Sequence, residues 1–152
     1  MRKIFVIIAL TAALALGCSA CVAEAQQSGD SWLQDSVDGA VWVDDRAFLE
    51  IFAEGEGYRV LILWGSSAWE TTEWVYSCLY DAETGKLTAV HMSCDNVVYD
   101  EDGNETRTNV QDRDCETVFA LNEEGKIVIT NAADEILEGK AFERMPAEDT
   151  DF

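Results

Sequence analysis

The stretch Ala47-Phe48-Leu49-Glu50-Ile51-Phe52-Ala53-Glu54-Gly55-Glu56-Gly57-Tyr58-Arg59-Val60-Leu61-Ile62-Leu63-Trp64 decides the fold. Ala47, Leu49 and Ile51 fall on one side of an extended chain. Val60, Ile62 and Trp64 fall on the matching side of the next, and Glu54 to Gly57 supply the turn between them. A period of two on both sides of a glycine-containing turn predicts a β-hairpin.

The same pattern recurs outward from this hairpin. Turn chemistry at Ser66-Ser67, Asp81 to Gly85, Asp102-Gly103-Asn104 and Glu123-Glu124-Gly125 separates runs that read as eight strands. They lie near 40–44, 46–53, 57–65, 71–81, 86–99, 105–121, 126–131 and 138–145, and Ser31 to Ser36 adds a helical turn. In the fourth run Trp74, Tyr76, Cys78 and Tyr80 share the inward side. Short links make consecutive strands antiparallel neighbours, and an up-and-down sheet of this length either closes or leaves two edges to protect. The expected fold is all-β, an eight-stranded up-and-down antiparallel barrel of lipocalin-like or streptavidin-like form. A two-sheet sandwich is the second choice.

Upstream, Arg2 and Lys3 precede an apolar run from Ile4 to Leu16 that stops at Gly17-Cys18. The run is too short for a resident membrane helix and has the layout of a secretory signal. Ala15-Leu16-Gly17-Cys18 resembles the lipobox of bacterial lipoproteins, whose leader is removed before a cysteine that carries diacylglycerol on its thiol. That resemblance implies lipidation of Cys18 and attachment to a membrane on its extracytoplasmic side, with plain secretion as the alternative. The expected organisation is a signal peptide at 1–17, a small polar tether at 18–30, the barrel domain at 31–145 and an acidic tail at 146–152.

The chain has ten basic and thirty acidic residues. Loss of the leader removes Arg2 and Lys3 and no acid, leaving eight against thirty, a formal charge of −22. Such a field disfavours nucleic acid, because phosphates would meet repulsion with no basic stripe to offset it. It also holds the domain away from anionic headgroups, so the expected membrane contact is the acyl anchor. An acidic surface equally suits a cationic partner such as a basic enzyme.

Three further segments carry a resemblance. Trp64-Gly65-Ser66-Ser67-Ala68 with Glu70 and Trp74, then Tyr80 to Leu87, then Tyr99 to Thr106, resemble a recurrent domain of secreted proteins and lipoproteins from anaerobic gut bacteria. The likeness spans roughly 40–145 and implies a small extracytoplasmic β domain with no activity attached. The chain departs from that pattern at Cys78 and Cys115, where glycine is usual, and at Trp69.

Chemistry-bearing motifs are few. Asp100 to Thr106 spaces oxygen ligands as a calcium loop begins, but Glu105 stands where glycine is needed and Gln111 where a bidentate glutamate is needed, so a hairpin turn is expected. His91 is the single histidine, without an evident nucleophile, and is expected to be structural. No carboxylate pair stands out, so an enzyme is not expected, and neither a metal nor another cofactor is implied. Cys21 lies in the tether and Cys78, Cys94 and Cys115 in the domain. A hairpin centred between Asn104 and Glu105 would set Cys94 opposite Cys115 as a disulfide, with Cys78–Cys94 as the alternative.

Aromatic residues including Trp64, Trp74 and Tyr76 either line a ligand cavity or fill the barrel, and Trp69 stands in a polar loop suited to recognition. The outward positions are more telling. Phe48 is expected opposite Leu63 and Leu63 opposite Val75, with Phe52, Leu61 and Leu79 nearby, where a solvated sheet face should be polar. That apolar set predicts self-association, an unknown protein partner, or cover from the segment around Trp32. The functional expectation is a lipid-anchored extracytoplasmic binding or adaptor protein. An inhibitor of a basic enzyme such as lysozyme and a carrier of a small apolar ligand are the alternatives.

Overall fold

The computed structural model describes residues 32–37 and 39–146. The expected leader, Cys18, the expected tether and the residues beyond Pro146 lie outside the described residues. Nine strands follow in chain order: β1 Val41–Asp44, β2 Ala47–Glu54, β3 Gly57–Gly65, β4 Glu70–Asp81, β5 Lys86–Tyr99, β6 Glu105–Asp114, β7 Val118–Leu121, β8 Ile127–Thr130 and β9 Ala141–Arg144. Every pairing is antiparallel, and the ring β1-β2-β3-β4-β5-β7-β8-β9 closes through β9 on β1. This is a closed eight-stranded barrel, as the alternation predicts, and β6 is an extra strand hydrogen-bonded to β5 outside the ring.

The expected sixth strand, 105–121, is therefore two. His91 faces Asp114 while Thr88 faces Val118, three steps on β5 against four on the other chain. The surplus residue is absorbed at Cys115-Glu116-Thr117, where the Cys115 amide donates to the Val90 carbonyl and the Ala89 amide to the Thr117 carbonyl. Thr117 is fully buried and its Oγ1 accepts from the Ala133 amide. The break thus ties the strand to the β8–β9 connection as it enters the ring.

The first hairpin forms in the expected register, Ala47 opposite Trp64 and Phe48 opposite Leu63. Gly57 is required there, because a Cβ would lie 2.5 Å from the Cys78 carbonyl oxygen. The next hairpin differs: Leu63 faces Glu73, and Val75 faces Leu61. The amides of Ser66 and Ser67 both donate to the Glu70 carbonyl, which centres the loop one residue earlier than expected and moves the pairing by two. A two-residue shift leaves every side chain on its own face.

Side chains occupy the interior. Leu49, Ile62, Tyr76, Leu87, Met92, Phe119, Ile127, Ile129 and Phe142 are all fully buried, with Tyr76 edge-on to Phe119 at 5.2 Å between ring centres. Both ends are covered. A short helix at 32–37 packs Trp32 and Leu33 into the core, with Trp32 Nε1 donating to the Gly85 carbonyl and Arg144 to the Asp35 carbonyl. At the opposite end the turn Glu135–Leu137 inserts Leu137, which is fully buried. There Trp74 Nε1 donates to Asp134 at 3.1 Å, while Lys140 pairs with Asp44 at 3.0 Å and sits 4.7 Å from the Trp64 ring centre.

Candidate functional site

Of the expected ligand residues, Trp74 and Tyr76 are buried core and Trp64 is half-buried under Lys140. Trp69 differs, being 55% exposed in the β3–β4 loop. Its amide donates to Ser67 Oγ and its carbonyl accepts from the Tyr99 amide, so the backbone is fixed while the indole faces solvent. Val98 and Tyr99, at the adjacent end of β5, are exposed as well and were not singled out by the sequence pattern.

The three domain cysteines are free thiols. Cys94 faces Gln111 rather than Cys115, because the β5–β6 hairpin turns earlier than a Cys94–Cys115 pair requires and a bulge near Asp95 recovers only one residue of the difference. Cys115 lies four residues further along, about 13 Å of extended chain. The alternative partner, Cys78, faces Ala89. Burial above all pushes the Cys78 thiol up to about 12 and the Cys94 thiol up to about 11, with Cys115 adding to the first and Asp134 to the second. Both are held as unreactive thiols.

The remaining polar motifs are engaged with their own neighbourhood. Asp100 accepts from the amides of Asp102 and Asn104 and from the Asn104 side chain, which holds its carboxyl below the usual range. Those oxygens close a turn, as expected. His91 stands on the outer face in one cross-strand row with Ser77 and Asp114. Its Nε2 lies 3.0 Å from Asp112 and its Nδ1 3.3 Å from Asp114, so both ring nitrogens are directed at carboxylates and neither at Ser77. A general base for Ser77 needs a ring nitrogen aimed at its hydroxyl. Among the described residues no group of three or more His, Cys, Asp or Glu side chains is placed to hold a metal ion.

The outward apolar residues are the coherent surface. Two adjacent rows cross the sheet: Val43–Phe48–Leu63–Glu73, and Val41–Glu50–Leu61–Val75. Phe48 is 37% exposed and Leu61, Leu63 and Val75 are half-buried. Phe52 heads the next row, Phe52–Arg59–Ser77, with the Arg59 guanidinium 5.0 Å from its ring centre, and Leu79 lies beyond that row, separated from Val75 by Ser77. Val41 and Val43 extend the patch across β1, and their signal is the alternation with buried Trp42. The Trp32 segment does not cover this face, since Trp32 is packed at the barrel end. No family model, curated protein or solved structure matches the chain.

Proposed function

We propose that the protein is a binding or adaptor module, anchored through Cys18 on the extracytoplasmic side of a membrane, that captures a protein or a second copy of itself on the outer face of β1–β4. The observation that carries this reading is the pair of rows in which Phe48, Leu61, Leu63, Val75, Val41 and Val43 lie together on the solvent side of a sheet whose other side already has a core. The filled interior weighs against a carrier, because Tyr76, Phe119 and Phe142 occupy the space a ligand would take. The leader and Gly17-Cys18 support the anchor, and none of the described helices is long and apolar enough to cross a membrane.

Joining such a face to a partner removes roughly 2.5 kcal/mol of apolar exposure per hundred Å² before association costs. Replacing Phe48 and Leu63 together with Ser should leave thermal unfolding within about 1 kcal/mol of the parent, as expected for outward positions, and abolish self-association or partner capture. Light scattering with calorimetry reads both quantities. Unchanged mass together with unchanged partner capture would remove the interface reading, and mass spectrometry finding no acyl group on Cys18 would remove the anchor.

A further inference from the structure

Strand β6 ends the sheet. Its only strand neighbour among the described residues is β5, so the edge facing away from β5 presents the amides and carbonyls of every second residue over ten residues, roughly 33 Å of chain. All of its residues are exposed save Gln111, and Val110, the extra residue at the bulge, is 58% exposed. This edge does not enclose the core, which lies within the ring that β7 completes.

The charges beside the edge are unevenly matched. Arg107 is shared by Glu73, with Nη1 at 2.7 Å and Nη2 at 3.2 Å, by Asp95 at 3.4 Å, and by Glu105. One cation thus answers three carboxylates. His91 lies between Asp112 and Asp114, one imidazole for two carboxylates. The remaining base on the strand, Arg113, reaches the Ala133 carbonyl. The hairpin tip adds Asp100, Glu101 and Asp102. Among the described residues, every cation near this edge is already engaged, and negative charge remains in excess.

We propose that β6 is a docking edge for an extended cationic segment of a partner protein, which adds as a further strand with Lys or Arg side chains set against Glu105, Asp112 and their neighbours. The backbone edge supplies the hydrogen bonds, and the unmatched carboxylates select the sign of the partner. The same charges oppose a second copy, which would bring its own excess to the contact; the whole chain carries a formal −20. The inference does not depend on the apolar face of β1–β4, because it rests on the backbone edge of β6 and on charge, not on apolar burial.

The probe is an end-capped decapeptide of alternating Lys and Thr added to the full-length chain in detergent, read by calorimetry and by amide hydrogen exchange. Three controls are the same peptide with Glu in place of Lys, the same peptide N-methylated at every backbone nitrogen, and the double variant Glu105→Gln with Asp112→Asn. Binding should slow exchange within 105–114 by about fivefold or more and weaken about tenfold as salt rises from about 0.05 to about 0.5 M. The Glu and N-methylated peptides should not bind, and the double variant should lose about fivefold in affinity. The proposal is overturned by no binding of the Lys peptide, by binding that leaves 105–114 exchange unchanged, or by equal binding of either control peptide. It is also overturned if slow exchange in 105–114 without peptide increases with protein concentration, since a second copy would then hold the edge. Failure here leaves the Phe48 and Leu63 experiment unaffected.

Discussion

Replacing Tyr76 with Phe should make the protein more stable. Tyr76 is fully buried in the barrel wall, its ring held edge-on against Phe119, and its hydroxyl has no hydrogen-bond partner among the described residues. Burial is the main reason its ionisation is pushed well above the usual tyrosine range, with Cys115 and Asp134 adding to the effect. An unpaired buried hydroxyl costs about 1–3 kcal/mol, and deleting it keeps the ring and its contacts. Tyr76→Phe should therefore gain about 1–2 kcal/mol, and for a domain of this size each kcal/mol raises Tm by roughly 3–6 °C. Calorimetry and urea titration measure the gain, which should move the urea midpoint at constant m. A loss of about 1 kcal/mol or more would refute the reasoning. It would mean that the hydroxyl is bonded to an internal water or a bound molecule, and the barrel could then no longer be treated as filled by side chains alone.

Leu137→Ala should cost about 2–4 kcal/mol, because Leu137 is fully buried where it covers one barrel end and the cavity left behind would collapse only in part; a loss below about 1 kcal/mol in urea titration would show that this end is not packed. In the native state Cys78 and Cys94, each 3% exposed, should resist a maleimide while half-buried Cys115 labels ahead of both, and rapid labelling of Cys78 would contradict its place in the core. The same two thiols set an alkaline limit. Their folded pKa values, about 12 and about 11, lie above the ordinary value of 9.0, so the unfolded chain releases these protons first. Their contribution to stability is complete below about pH 9 and is lost as the pH rises toward 12, and Cys78→Ala should flatten that fall in urea midpoints measured across the range.

Alternation was the legible part of this chain. Between Ala47 and Trp64 it assigned Leu49, Ile51, Val60 and Ile62 to the core and Phe48, Leu61 and Leu63 to the outside, and the structure keeps each on that face. Register was less legible, because it depends on which amides close a loop. Two donors, Ser66 and Ser67, converge on the Glu70 carbonyl, and composition alone does not distinguish that closure from one centred a residue later. The apolar patch survives the difference since the shift is even. The expected Cys94–Cys115 pair does not, because a covalent link needs one register and tolerates no neighbour.

The division of 105–121 into an outer and an inner strand had a signal in the residues themselves. From Glu105 to Asp114 neither set of alternating positions is apolar, whereas Phe119 in β7 is buried between Val118 and Ala120. A strand that closes a barrel must offer one apolar side to the interior, and β6 has none to offer. Only the first turn-proximal residues of β5, Leu87 and Thr88, are needed to pair with β7 and complete the ring. The rest of that edge, from His91 to Tyr99, is free to carry a strand whose composition answers to solvent. Substitutions along β6 should accordingly alter binding with little effect on unfolding, whereas truncation of Phe119, which is fully buried against Tyr76, should cost about 3–5 kcal/mol. Polarity on both faces of a β-strand thus separates the part of this chain that encloses the core from the strand that lies outside the ring.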